Sequence, residues 1–193
     1  MNILLVYAHP EGESFNKAIR EAFLRGIKTA GHKINIIDLY KDKFNPVLSE
    51  SELKGGQEPD VKKYQHAITK ADWMVFIYPV WWFRAPAILE GWFDRVLTVH
   101  FAFRYKKICG NFGIPVGMLP CKKALVINTY GSPGWVIEWI CANIPWRRLK
   151  QGVLKICGVK TLIHFPCYAS AFVSDKKREK WLSKIERIVA TLA

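Results

Sequence analysis

The sequence predicts an α/β domain: a five-stranded parallel sheet with helices on both faces. Two observations carry this. Short apolar runs alternate with segments of helical periodicity along the chain. The run over residues 73–78, Trp-Met-Val-Phe-Ile-Tyr, is apolar at every position, as a central parallel strand covered on both sides should be. No internal repeat, low-complexity tract or linker interrupts the alternation, so residues 1–193 read as one domain.

Each element has its own signal. Residues 3–8 are an apolar run closed by His9-Pro10 and read as the first strand. The helix that follows opens at Ser14, whose hydroxyl can accept from free backbone amides. Ile19, Ala22, Phe23 and Ile27 share one face of it, and Gly31 stops it. Residues 33–37 form the second strand. Residues 38–59 read as a long loop broken by Asn45-Pro46 and Gly55-Gly56. A helix over 60–70 leads to the central strand, which Pro79 ends, and 87–99 reads as the next helix. Residues 100–122 form an aromatic, Gly- and Pro-rich excursion. Residues 124–128 and 161–165 supply the fourth and fifth strands, separated by an ambiguous segment containing Pro145. An amphipathic helix over 175–192 closes the chain.

Composition narrows the class. Half of the 193 residues are hydrophobic and 23% are charged, the balance of a folded globular protein. The net charge is +13, with short basic clusters at Lys122-Lys123, at Arg147-Arg148 with Lys150, and at Lys176-Lys177-Arg178 with Lys180. Such a surface reads either as solvated charge or as attraction for an anionic partner, for which a pyridine nucleotide, an anionic membrane surface with a membrane-proximal complex, or nucleic acid would qualify. No nucleic-acid-binding motif accompanies it. The five cysteines are odd in number, widely spaced and contain no Cys-x-x-Cys pair, which argues against a metal site or disulfide framework. With no basic, apolar leader in the sequence, the expectation is a cytoplasmic protein with reduced thiols.

Open parallel sheets bind ligands beyond the carboxyl ends of their strands. Three loops at such ends carry unusual residues. The first runs from His9 through Ser14, Phe15 and Asn16 into a helix start, where free amides suit a phosphate. It is neither a Gly-rich dinucleotide fingerprint nor a triphosphate loop. The second is Pro79, Val80, Trp81, Trp82, Phe83, Arg84, Ala85 and Pro86. Three adjacent aromatics between two prolines cannot all point into a core, so at least one faces a pocket or the surface. The third holds Thr129, Tyr130, Gly131, Ser132, Pro133 and Gly134, where small residues let a planar ligand approach the backbone. Together they outline a pocket with a phosphate end and a ring end.

These residues carry a resemblance. Tyr7-Ala8-His9-Pro10 with Ser14-Phe15-Asn16, Gly31-His32, Asp38-Leu39-Tyr40, Phe44-Asn45-Pro46, Ala71-Asp72, Tyr78-Pro79-Val80-Trp81-Trp82-Phe83, the stretch 86–96 and Phe101-Ala102-Phe103 stand in the order found in NAD(P)H:quinone oxidoreductases. Over roughly its first 130 residues the chain resembles that family of flavodoxin-like quinone reductases. The resemblance implies a flavodoxin-like three-layer sandwich and a tightly bound flavin, FAD or else FMN. It also implies a homodimer with active sites at the interface. NADPH or NADH would be the donor, and a quinone-type acceptor would be reduced by two electrons in a ping-pong hydride transfer. His9, Ser14, Phe15 and Asn16 match the segment around the flavin phosphates. Pro79, Val80, Trp81, Trp82 and Phe83 match the loop beside the isoalloxazine, and Thr129, Gly131 and Ser132 match the third flavin loop.

The chain also departs from the family. The Tyr and His that follow the third loop in its best-known members are absent from residues 136–143, Tyr130 replaces a Gly, and Arg84 stands where a small residue is common. Tyr130 is the nearest candidate for a catalytic side chain. Phe101, Phe103, Trp92 and Phe93 are the candidate interface aromatics. Two other readings stay open: a flavin-binding regulatory subunit of a potassium-efflux system, and a one-electron flavodoxin carrier. The basic charge argues against the second.

Overall fold

The computed structural model describes residues 1–56, 58–110, 112–190 and 192. Strands β1 (Asn2–Tyr7), β2 (Lys33–Asp38), β3 (Trp73–Pro79), β6 (Lys123–Thr129) and β7 (Thr161–Cys167) form one parallel sheet in the order β2-β1-β3-β6-β7. Helices α1 (Phe15–Thr29), α2 (Glu50–Leu53), α3 (Pro59–Thr69), α4 (Ala87–Val96), α5 (Ile144–Arg147) and α6 (Asp175–Ala190) connect and cover it.

The pleat sends alternate side chains to opposite faces, and both faces are buried. Leu4 and Val6 of β1 with Met74, Phe76 and Tyr78 of β3 join Leu89, Trp92, Phe93 and Val96 of α4 and Ile68 of α3 in one core. Ile3, Leu5 and Tyr7 with Trp73, Val75 and Ile77 join Ile19, Phe23 and Ile27 of α1 and Ile185 and Val189 of α6 in the other. This two-sided burial is why the central strand is apolar throughout. Helix α1 begins where Ser14 Oγ accepts from the Lys17 amide at 3.2 Å. It ends at Gly31, which has φ of +66° and donates to the Lys28 carbonyl. Gly26 lets α1 lie against α6: a Cβ there would sit 2.4 Å from the Glu186 carbonyl oxygen.

Three segments differ from expectation. The 100–122 excursion contains an antiparallel hairpin, β4 (Phe103–Cys109) with β5 (Phe112–Gly117), outside the main sheet. It is largely solvent-exposed, so it lacks the continuous apolar run that marks the covered strands, and Gly110, Gly113, Pro115 and Gly117 read as breakers. The segment around Pro145 winds as π-helical turns over Val136–Ile140 and Arg148–Lys155, with α5 between them. Helix α4 stops at Val96, three residues before the expected end at 99. The closing helix is described to Ala190, and Thr191 within the expected 175–192 span lies outside the described residues. Within the 38–59 stretch, Ser49 and Glu52 form a reciprocal capping box on α2. Among the described residues, no helix is long and apolar enough to cross a membrane.

Candidate functional site

Strands β1 and β3 are neighbours, yet β1 leads to α1 on one face of the sheet and β3 to α4 on the other. Their carboxyl ends therefore diverge at the switch point in strand order, where ligands of such sheets bind in the crevice between the loops. The loop after β6 borders it on the third side, because β6 pairs with β3.

Thr129 ties the three loops together. Asn16, buried at the start of α1, donates from Nδ2 to Thr129 Oγ1 at 3.0 Å. The Val80 amide donates to the Thr129 carbonyl at 2.8 Å. The His9 ring lies 6.4 Å from that of Trp81, and its Nδ1 accepts from the Glu11 amide at 3.1 Å. Phe15 packs its ring against Trp181 of α6 at 6.1 Å. The amides of Phe15 and Asn16 meet no acceptor among the described residues, and Asn16 Oδ1 is buried without a partner.

The second loop turns back on itself. Trp81 and Arg84 exchange backbone hydrogen bonds of 2.9 and 3.0 Å around Trp82 and Phe83, whose φ angles are +50° and +58°. Asn-Gly suits that two-residue turn; bulky residues in the left-handed region cost about 1–2 kcal/mol each. Trp82 is 91% exposed, so burial does not offset the strain. The Trp82 and Phe83 amides have no acceptor among the described residues.

The third loop presents the unpaired amides of Gly131 and Ser132, and a Cβ on Gly131 would meet nothing within 4 Å. Gly134 is different: a Cβ there would lie 2.9 Å from the Tyr168 ring, so it is a packing glycine. The Tyr130 side chain turns inward. It is 2% exposed, its ring lies 4.9 Å from that of Tyr168, and its hydroxyl is buried without a partner. Burial is the main reason its pKa is raised, opposed by Asn128 and aided by Glu138. The Tyr130 backbone is engaged as well, its amide donating to the Cys167 carbonyl at 3.0 Å and its carbonyl accepting from the Ser170 amide at 2.9 Å.

Sequence reasoning missed Tyr168 and Glu138. The Tyr168 hydroxyl donates to Glu138 Oε1, and Asn143 Nδ2 donates to Glu138 Oε2 at 2.9 Å. Burial first, and then the Glu138 carboxylate, keep the phenol protonated well above its ordinary range. Tyr168 follows the carboxyl end of β7, so the rule that singled out the other three loops would have found it. Of the four candidate interface aromatics, Trp92 and Phe93 are buried in the core, and Phe101 and Phe103 are half-buried against it; the hairpin exposes Tyr105, Ile108, Phe112 and Ile114.

A five-stranded parallel sheet in this order, with a loop crevice at its β1–β3 switch point, defines a flavodoxin-like protein. The family model described as flavodoxin-like fold matches residues 1–192. NAD(P)H dehydrogenase [quinone] 1 of Rattus norvegicus is 28% identical over 214 residues, covering 96% of this chain and 76% of its own. The structure of NAD(P)H:quinone oxidoreductase from Methanothermobacter marburgensis superposes with a TM-score of 0.88 at 30% identity, covering 100% of this chain and 99% of its own. That of Smu.1420 from Streptococcus mutans superposes at 0.89 and 32% identity over 100% of both chains. The chain belongs to the flavodoxin-like NAD(P)H:quinone oxidoreductase family.

Proposed function

We propose that this chain is a flavin-dependent NAD(P)H:quinone oxidoreductase whose flavin sits in the crevice at the β1–β3 switch point. The observation that carries the reading is the convergence of unpaired amides. Phe15 and Asn16 supply them at a helix start, Trp82 and Phe83 on a strained turn, and Gly131 and Ser132 beside open space, all on loops tied through Thr129. The crevice fits the group: the helix start suits its phosphates, and the buried Asn16 Oδ1 awaits a donor. Such a cofactor supplies two-electron transfer between a nicotinamide and a quinone, while the protein binds, orients and tunes it.

His9, Ser14, Phe15 and Asn16 hold the phosphate end. Pro79 and Val80 anchor the second loop against Thr129, and Trp81, Trp82 and Phe83 border the ring. With the flavin bound, the Trp82 and Phe83 amides would be the donors for negative charge on the ring. Thr129, Gly131 and Ser132 close the third side, with FAD favoured over FMN as the flavin. The Tyr168 phenol, held protonated beside Glu138, is better placed than Tyr130 to hold a proton near the third loop.

The exposed hairpin supports a homodimer. Tyr105, Ile108, Phe112 and Ile114 offer apolar surface that a second copy would cover. Sedimentation at micromolar concentration should give twice the chain mass, and a monomer counts against this. Stopped-flow mixing with NADH and NADPH separately should bleach the bound flavin, and a simple quinone should restore its colour. Failure of both nucleotides to bleach it removes the enzyme reading in favour of a regulatory one.

A further inference from the structure

The turn over residues 81–84 is strained, and the two backbone hydrogen bonds between Trp81 and Arg84 are all that closes it from within. Further restraint comes from outside. At the entry the Val80 amide is pinned on the Thr129 carbonyl. At the exit the Ala85 amide donates to Glu90 Oε1 at 2.9 Å. Glu90 lies in the first turn of α4 and is itself gripped by Arg148, from Nη1 to Oε1 at 2.7 Å and from Nη2 to Oε2 at 2.6 Å. This two-pronged geometry fixes the carboxylate's position and plane together. Arg148 begins a π-helical segment that follows the third loop, so the ion pair links the exit of the second loop to the chain beyond the third.

We infer that Glu90 and Arg148 are positioning residues: their ion pair holds the Ala85 amide, keeps Trp82 and Phe83 in the left-handed turn, and so aims those two amides at the reactive edge of the flavin. This rests on the function proposed above. A plain surface ion pair is the competing explanation. The Arg148 side chain is 45% exposed, and pairs of that kind contribute little to stability. The Glu90 side chain, however, is only 12% exposed and has a backbone amide to hold as well as a guanidinium. A surface pair would leave the loop unchanged when broken; a positioning pair would release it while the fold stays intact.

The test uses Glu90→Ala, Arg148→Met and Arg148→Lys beside the wild type. Amide hydrogen exchange at Arg84 and Ala85 is measured on flavin-free protein. The visible spectrum and midpoint potential of the bound flavin, and the rate of its reduction by NADPH, are measured on loaded protein. In Glu90→Ala and Arg148→Met the two amides should exchange at least about tenfold faster, because local opening replaces a closed loop. The flavin bands should shift, the potential should fall, and flavin reduction should slow about tenfold or more as the ring contacts are displaced. Arg148→Lys keeps the charge without the fork and should fall between. Wild-type exchange, spectrum and potential in Arg148→Met overturn the inference, whatever the melting temperature does. A wild type that binds no flavin defeats the function reading instead, and the exchange rates then still decide whether the pair holds the loop.

Discussion

Lowering the pH should weaken this fold through one side chain, His164. It lies on β7, with Nε2 3.0 Å from Asn128 Oδ1 and its ring stacked on Trp146 at 4.3 Å and 13°. Asn128 Oδ1 can only accept, so Nε2 donates, and it is burial that disfavours the charged ring. Burial pushes its pKa down from 6.5 to about 4. The folded value is thus below the unfolded one. As pH falls through 6.5 the unfolded chain takes up a proton that the folded chain refuses, and stability declines until the folded ring is protonated near pH 4. At about 1.36 kcal/mol per pKa unit, the loss across that window is about 3 kcal/mol. Above pH 7 it is absent. Urea unfolding of wild type and His164→Gln at pH 7, 6, 5 and 4 isolates it, since the carboxylates titrate in both. Gln keeps an N–H for Asn128 but cannot titrate. The variant should start less stable at pH 7 and gain about 3 kcal/mol on the wild type by pH 4. Parallel stability curves, or an imidazole that titrates near 6.5 in the folded protein, would refute the reasoning.

Arg95→Met should destabilise by about 3–5 kcal/mol, because it strands a buried charge. Arg95 is 4% exposed and donates to Glu52 Oε1 at 2.8 Å and to the Asn45 carbonyl at 2.6 Å. Burial works to raise the Glu52 carboxyl, and the Ser49 amide and Arg95 outweigh it, so it stays below its ordinary value. Urea unfolding and early proteolysis within residues 45–56 would register the loss. Tyr130→Phe should leave both half-reactions unchanged and stability within about 1 kcal/mol, since the hydroxyl it removes is buried without a partner. Stopped-flow and thermal melts check this, and a slowed half-reaction would return the hydroxyl to the mechanism. Asn16→Ala should cut flavin affinity about tenfold, some 1.4 kcal/mol, by removing the tie to Thr129 and the buried acceptor. Fluorescence titration reads it, and unchanged affinity would show that the phosphates lie elsewhere.

The central strands of the main sheet were legible because burial on both faces leaves an unmistakable mark. Trp73 and Val75 face one core and Met74 and Phe76 the other, so no polar position remains to blur the run. The hairpin was not legible for the opposite reason. Arg104, Lys106 and Lys107 lie on strands with little cover, where composition resembles a loop. The loops of the candidate site can be picked out from the sequence because ligands of open parallel sheets bind beyond the carboxyl ends of the strands. Side-chain direction within them was not legible. Tyr130 stands between Thr129 and Gly131, both at the crevice, and only the packing of Tyr168 against Gly134 shows why its ring turns inward.

Charge shows the same limit at longer range. In the sequence Arg148 belongs to a basic cluster, and that cluster reads as solvated surface awaiting an anion. In the fold its partner is Glu90, 58 residues away and just past the aromatic turn. Arg95 with Glu52, Arg20 with Asp38 and Arg178 with Asp175 are committed in the same way. The net charge of +13 is therefore a poor guide to where an anionic partner docks, because several arginines have already spent their charge on carboxylates of the fold. Arg84 forms no such ion pair among the described residues and stands exposed on the turn beside the crevice. In the proposed function a nucleotide approaching the flavin would meet this cation, whereas Arg148 is already paired with Glu90.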